Sequence, residues 1–462
     1  VVILIAALAF ASSFEPLGWW FGAPLGYALL LRRLVSSSST PKLYLEVFLF
    51  AFISAGVTLI WAGKYVGLLP LFFLALLHGL FYLPLATLRR FTGNVLWFIP
   101  ALLLIEEMRA RFPFSGFSWM RIAFSQADSP YLPMVSIGGV TLLSLWVLIL
   151  SYLLTTVTFR KILLILLIIF TPTFLSNSYS PTEKISYAGV QGNTPSVGIG
   201  FNDRAKAVFN LHVSTTMDLI SERPDLIIWP ENAIDVDPYI NPDVLSAIES
   251  VTTKFSAPLI AGAVTRNTGQ LENVSIMYDV GGGVASVYSK QYLTPFGEYI
   301  PLRGIARLIS PYVDNVSDFS RGERVDIHRV KNMDVAPVIC YELLSDSLVR
   351  NAAEKSEALV VQTNSATFAG TSESAQQLAI TRIRAMENAR EIVSISTIGI
   401  SAHIDINGKV LKQTDEDVAA LLEGELVGVS NRTIASRLGA AATPLTLILT
   451  LFPLIVRRMR RS

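Results

Sequence analysis

The chain has 462 residues, 52% of them hydrophobic and 16% charged, with a mean hydropathy of +0.49. That is too apolar for a soluble protein of this length and calls for membrane spans. A net charge of +1 gives no support to nucleic-acid binding, and a single cysteine excludes an internal disulfide.

In chain order, residues 1–177 are mostly long apolar runs, with spans expected near 1–13, 18–31, 44–62, 67–85, 93–108, 134–156 and 161–177. The opening run has no basic flank and no small-residue cleavage site, so it is not read as a signal peptide. Residues 178–436 regain charge, and short β-rich runs such as 226–229, 258–264 and 358–362 alternate with helical patterns, as in a layered α/β domain. Residues 437–462 read as a closing transmembrane helix with the basic tail RRMRR. Arg32, Arg33 and Lys42, then Arg89 and Arg90, then Arg160 and Lys161, and finally Arg457, Arg458, Arg460 and Arg461 mark cytoplasmic segments. Both termini are then cytoplasmic and the large domain lies outside, which in a bacterium is the periplasmic face.

One loop departs from that pattern. Glu106–Gln126 should be external, yet it carries Arg109, Arg111 and Arg121 among Phe112, Phe114, Phe117 and Trp119. It reads either as an interfacial aromatic belt with snorkelling cations or as a lipid-binding surface made by Arg109, Phe117, Trp119 and Arg121.

Three strand exits in the large domain carry chemistry. The run LIIWPENAI presents Glu231, VYSKQYLTPFGEYIPL presents Lys290 and Glu298, and VAPVICYELL presents Cys340, Tyr341 and Glu342. Taken singly, each has a bland reading: a solvated glutamate, a solvated lysine, a buried structural thiol. Together they supply a base, an oxyanion-stabilising ammonium and a nucleophile for acyl transfer through a thioester. The four histidines, His78, His212, His328 and His403, have no paired ligand spacing, so no metal is expected.

The combination WPE, K, PFGE and CYE resembles the nitrilase, or carbon–nitrogen hydrolase, superfamily. With the membrane-embedded part it is similar to the apolipoprotein N-acyltransferase family within it. VQGN (190–193), SRG (320–322), TNSATFAG (363–370) and RIRAMENAR (382–390) extend the likeness over nearly the whole chain. The resemblance implies an inserted α-β-β-α sandwich in a multi-span helical membrane protein, with Glu231 as general base, Lys290 as oxyanion stabiliser and Cys340 as nucleophile. Glu298, Tyr341 and Glu342 match supporting positions. It also implies a ping-pong reaction without a cofactor, from a phospholipid acyl donor to a diacylated apolipoprotein, in the bacterial inner membrane. Two departures stand out. Phe201 and Asn202 occupy the place of the family's mobile-arm tryptophan. In TNSATFAG, Ser365 and Thr367 replace Asp and Trp and Ala369 is extra, leaving Asn364 and Gly370 as loop-forming residues.

Two other readings remain. A membrane-tethered amidase of the same fold would let water resolve the thioester, but one tether would serve it. A transporter or scaffold with an inactive domain would have no use for the three intact residues, and would place ionisable groups at mid-span. No interaction surface stands out, so a monomer is expected.

Overall fold

The computed structural model describes residues 1–36, 40–65, 67–156, 158–198, 205–267, 269–308, 313–314 and 316–459. Phe201, Asn202, Arg460 and Arg461 lie outside them. The chain divides into two compact units, Val1–Asn177 with Thr433–Ser462, and Ser178–Arg432.

The first unit is helical: α1 (Val2–Ala11), α2 (Gly22–Ser36), α3 (Thr40–Thr58), α4 (Leu68–Phe91), α5 (Phe98–Arg109), α6 (Val135–Leu154) and α7 (Phe159–Phe170). Among the described residues, four helical stretches are long and apolar enough to cross a membrane: Thr40–Thr58, Leu68–Phe91, Leu132–Leu154 and Ile434–Val456. The apolar runs expected to span near 1–13, 18–31, 93–108 and 161–177 form helices of 10, 15, 12 and 12 residues. At a rise of about 1.5 Å per residue these are at most about 22 Å long, short of the roughly 30 Å of a hydrocarbon core. Helix ends here are set by turns. α5, for example, runs out into the left-handed backbone of Phe114, Ser115 and Gly116.

The second unit opens with β1 (Pro181–Gln191), α8 (Ala207–Leu219), β2 (Leu226–Ile228), α9 (Pro242–Phe255), β3 (Leu259–Asn267), β4 (Gln270–Tyr278) and β5 (Val284–Ser289). A short α10 (Arg303–Ala306) precedes β6 (His328–Val330), β7 (Met333–Ile339), α11 (Asp346–Glu354), β8 (Ala358–Thr363), α12 (Glu373–Asn388), β9 (Ile392–Ser396), β10 (Ala402–Ile404), β11 (Val410–Gln413) and β12 (Ala420–Val429). The strands make two six-stranded sheets, ordered β12-β1-β2-β3-β4-β5 and β11-β10-β9-β8-β7-β6. Each has a parallel trio, β1-β2-β3 or β7-β8-β9, continued by antiparallel neighbours. The pattern is the same in both sheets.

Strand period decides which side chains meet. In β2, Leu226 and Ile228 join Ile260, Val335, Val360, Val393 and Ile395 in the core between the sheets. Ile227, with Trp229 just beyond the strand, faces the other way, onto Val244, Ile248, Val251 and Phe255 of α9. The result is an α-β-β-α sandwich with parallel strands buried on both faces. The chain closes with α13 (Ile434–Leu438) and α14 (Ala442–Met459), which belong to the helical unit.

Candidate active site

β2 stops at Ile228 and the next three residues carry the chain out to Glu231. That exit is clamped by main-chain and side-chain bonds. The Trp229 N–H donates to the Ile260 carbonyl at 2.8 Å, and the Trp229 carbonyl accepts from Gln362 Nε2 at 2.7 Å. The Glu231 carbonyl accepts from the Thr397 hydroxyl at 3.0 Å. Gln362 and Thr397 belong to the second sheet and the turn that follows it, so both sheets fix the carboxylate. Gly262 lies so close that a Cβ there would sit 2.4 Å from the Pro230 oxygen and 2.6 Å from the Glu231 Cα.

Lys290 follows β5, and the β4–β5 register pairs its backbone with Asn273, whose carbonyl accepts its N–H at 2.9 Å. Its ammonium is 1% exposed and donates to Glu231 Oε1 at 3.1 Å and to Glu298 Oε1 at 3.0 Å. Asn273 Nδ2 donates to the same two carboxylates at 2.8 and 2.6 Å. Burial alone would pull Lys290 down, but Glu231 and Glu298 outweigh it and hold the ammonium well above the usual lysine range. The loop carrying Glu298 is pinned by its own side chain, which accepts from the Thr294 N–H at 2.8 Å.

Cys340 follows β7 with a φ of +48°, a left-handed backbone that costs a residue with a Cβ about 1 kcal/mol. Neighbouring contacts sustain it. Glu342 accepts from the Ile339 N–H at 2.8 Å, from the Tyr288 hydroxyl at 2.8 Å, and from the Gln291 and Tyr292 N–H groups at 2.7 and 3.2 Å. Arg384, buried on α12, donates to the Leu343 carbonyl at 2.8 Å and pairs with Asp346 at 2.7 Å. The Tyr341 ring stacks on Tyr292 at 5.4 Å. Gln377 Nε2 lies 3.6 Å from the Cys340 sulfur. Burial, then the Glu231 carboxylate, pushes the thiol well up, and Lys290 only partly offsets this.

Among the described residues no group of three His, Cys, Asp or Glu side chains is arranged to hold a metal. What the site offers instead is a partly buried thiol beside two buried carboxylates and one buried ammonium.

Comparison with known proteins puts this arrangement in a family. The N-terminal domain model of apolipoprotein N-acyltransferases matches residues 6–153, and the carbon–nitrogen hydrolase model matches residues 188–429. The apolipoprotein N-acyltransferase of Vibrio vulnificus is 30% identical over 373 residues, covering 75% of this chain and 72% of its own. The chain belongs to the apolipoprotein N-acyltransferase family.

Another apolipoprotein N-acyltransferase, from Mycolicibacterium smegmatis, is 29% identical over 480 residues, covering 94% of this chain and 80% of its own. Among solved structures, a CN-hydrolase superfamily protein from Xanthomonas campestris has a TM-score of 0.41 at 17% identity, covering 58% of this chain and 97% of that one. As a member of the apolipoprotein N-acyltransferase family the chain is an enzyme of the acyltransferase class, built on a carbon–nitrogen hydrolase domain.

The structure gathers Glu231, Lys290 and Glu298 into one bonded cluster with the Cys340 thiol beside it, while Tyr341 and Glu342 buttress the cysteine turn. The other motif segments support the frame. Asn364 Oδ1 accepts from the Ala366 N–H at 3.0 Å, and Gly370 has a φ of +62°. A Cβ at Gly322 would lie 2.0 Å from the Ser289 oxygen, next to Lys290.

The four residues read as a lipid-binding surface lie elsewhere, in the helical unit, and the structure gives them a different setting. Arg109, Trp119 and Arg121 are buried, and Phe117 is half-buried. Arg121, 1% exposed, pairs with Glu107 and donates to Thr141 at 3.1 Å, while Arg109 donates to the Met120 carbonyl at 2.9 Å. Trp119 packs against Trp61 at 4.9 Å. Arg109 and Arg121 therefore hold the loop together rather than line its surface. Two of the three arginines that opposed the topology rule are internal, set against Glu106 and Glu107, and the exposed side chains of the segment are Met108, Arg111, Phe112 and Phe114.

Three contributors escaped the sequence reading. Asn273 was readable only as a polar residue inside an otherwise apolar strand. Gln377 and Glu373 sit on α12, between TNSATFAG and RIRAMENAR, with no motif of their own to mark them.

Proposed function

We propose that this chain transfers an acyl group from a membrane phospholipid, through a thioester on Cys340, to the α-amino group of a diacylated apolipoprotein. The observation that carries the reading is the Lys290 ammonium shared by Glu231 and Glu298 at 3.1 and 3.0 Å. One cation compensated by two carboxylates leaves one of them, Glu231, able to take a proton.

Glu231 removes the Cys340 proton as sulfur attacks the ester carbonyl of the lipid. The Lys290 ammonium, joined by the Tyr341 N–H, stabilises the oxyanion. The tetrahedral intermediate collapses, the C–O bond breaks, and Glu231 returns the proton to the departing lysophospholipid oxygen. The acceptor amine then attacks the thioester carbon, and the amide forms as the C–S bond breaks. Glu231 at 5% and Lys290 at 1% exposure keep water from competing at this stage.

The four apolar helices make this a membrane protein. Arg32, Arg33, Arg89, Arg90, Arg160 and Lys161 support a multi-pass arrangement in the bacterial inner membrane, with the catalytic domain on the periplasmic side.

The test is a mass measurement on the purified full chain after incubation with a labelled phospholipid and denaturation. Wild type should gain one acyl mass. Cys340→Ser should not form the thioester, and Glu231→Ala should form it at least about 100-fold more slowly, in the range of general base catalysis. No acyl adduct on wild type with any phospholipid overturns the proposal. Discharge of the adduct by a diacylated lipopeptide should give amide; release as free fatty acid would favour a hydrolase.

A further inference from the structure

Glu373 opens α12 and is 3% exposed. Its Oε2 is buried with no hydrogen-bond partner among the described residues. Four residues later on the same helix face, Gln377 reaches the Cys340 sulfur at 3.6 Å. Glu373 therefore lies one helical turn from the residue that touches the nucleophile. Among the described residues, the groups that act on it are hydroxyls and acids: Ser365 after β8, Glu231 beyond β2, Glu416 on the β11–β12 connection, and the Cys340 thiol after β7. Glu416 is itself hydrogen-bonded by Ser374. The cation in reach of the thiol, Lys290, is already held between Glu231 and Glu298.

A buried carboxyl without a cation is costly unless a ligand supplies one. The transfer reading brings one, because an α-amino group with an ordinary pKa of about 7.7–8.0 arrives largely as an ammonium. We propose that Glu373 receives the acceptor's α-ammonium and takes its first proton before the amine attacks the Cys340 thioester; this rests on the transfer reading above.

The proton balance requires a second base. The ammonium loses one N–H proton to the Glu373 carboxylate and becomes a nucleophile. Nitrogen attacks, the C–N bond forms, and Glu231 takes a second N–H proton. The C–S bond breaks, sulfur leaves as thiolate, and Glu231 returns that proton to it. Glu373 then releases its proton to water. Ammonium and thioester have become amide, thiol and one free proton, and Glu231 alone could hold only one of the two transferred. The environment suits Glu373 to this role. Burial, followed by Glu416 and Glu231 and eased by the Ser365 hydroxyl, pushes its carboxyl up to about 7. That lies within about a unit of the group it would deprotonate, where proton exchange is most effective.

The experiment follows the two half-reactions separately on the full chain in detergent. Labelled phospholipid loads Cys340, and a synthetic diacylated lipopeptide then discharges it across a range of pH. Glu373→Gln should slow discharge about tenfold to a hundredfold more than loading. Its half-maximal pH should rise from near 7 toward about 8, since the ammonium must then lose its proton to water. Glu373→Asp should restore part of the rate and the lower pH. Equal slowing of both halves, with no shift in pH, would mean a structural role and overturn the inference; so would unchanged discharge. Absence of any thioester on wild type would instead overturn the transfer reading, and this inference with it.

Discussion

At the scale of the residue, the site works because its acids differ in what they are bonded to. Glu298 and Glu231 share one ammonium and one amide, Glu342 accepts four donors, and Glu373 has an oxygen with none among the described residues. Under the proposed transfer, Glu231 of the first pair exchanges a proton with the thiol. Glu342 is an anchor: it ties the residue before the nucleophile to the residues after Lys290. Glu342→Gln would turn an NH2 group toward N–H donors, losing at least one bond and leaving another donor unsatisfied. A cost of about 1–3 kcal/mol is expected, seen as a lower thermal midpoint together with slower thioester formation. A fall in neither would show that the four bonds do not position Cys340.

At the scale of the element, what the sequence made legible were strand exits. Glu231, Lys290 and Cys340 each follow a short apolar or alternating run, and such runs are read from side-chain period alone. Their partners were hidden because they depend on register and loop path. Asn273 meets Lys290 only because β4 and β5 pair Val274 with Ser289. Gln377 meets the thiol only because the loop after β8 delivers α12 to the end of β7. The short helices of the first unit were hidden for a related reason, since hydropathy measures how apolar a run is and not where a turn ends it. Close approach between elements is equally invisible. Gly262→Ala would drive a methyl into the backbone that carries Glu231, so a stability loss of about 1–3 kcal/mol is expected. Thioester formation should fall at least about tenfold, because a displacement of about 1 Å at a reacting group can cost far more than that. Unaltered acylation in this variant would mean the β2 exit yields without moving the carboxylate.

At the scale of the whole molecule, two units with separate cores divide the labour, and each buries charge for a different purpose. In the second unit the buried Lys290 is held between Glu231 and Glu298, where the proposed transfer would use it. In the helical unit the buried Arg121–Glu107 pair holds the loop after α5 against Thr141 of α6. Arg121→Gln would leave Glu107 with an uncompensated share of charge in a poorly polar setting, and a loss of about 3–5 kcal/mol is expected. Thermal melting in detergent would read it, and a midpoint unchanged from wild type would return Arg121 to a lipid-facing role.

The two sheets have a further consequence. Glu231 and Lys290 follow strands of the first sheet and Cys340 follows a strand of the second, and an apolar core with bonds such as Gln362 to Trp229 and His328 to Ser275 joins the two sheets. Under the proposed transfer each half is incomplete without the other, so catalysis would double as a gauge of how the layers are seated. Any slip between them would register as lost turnover while every strand remained intact.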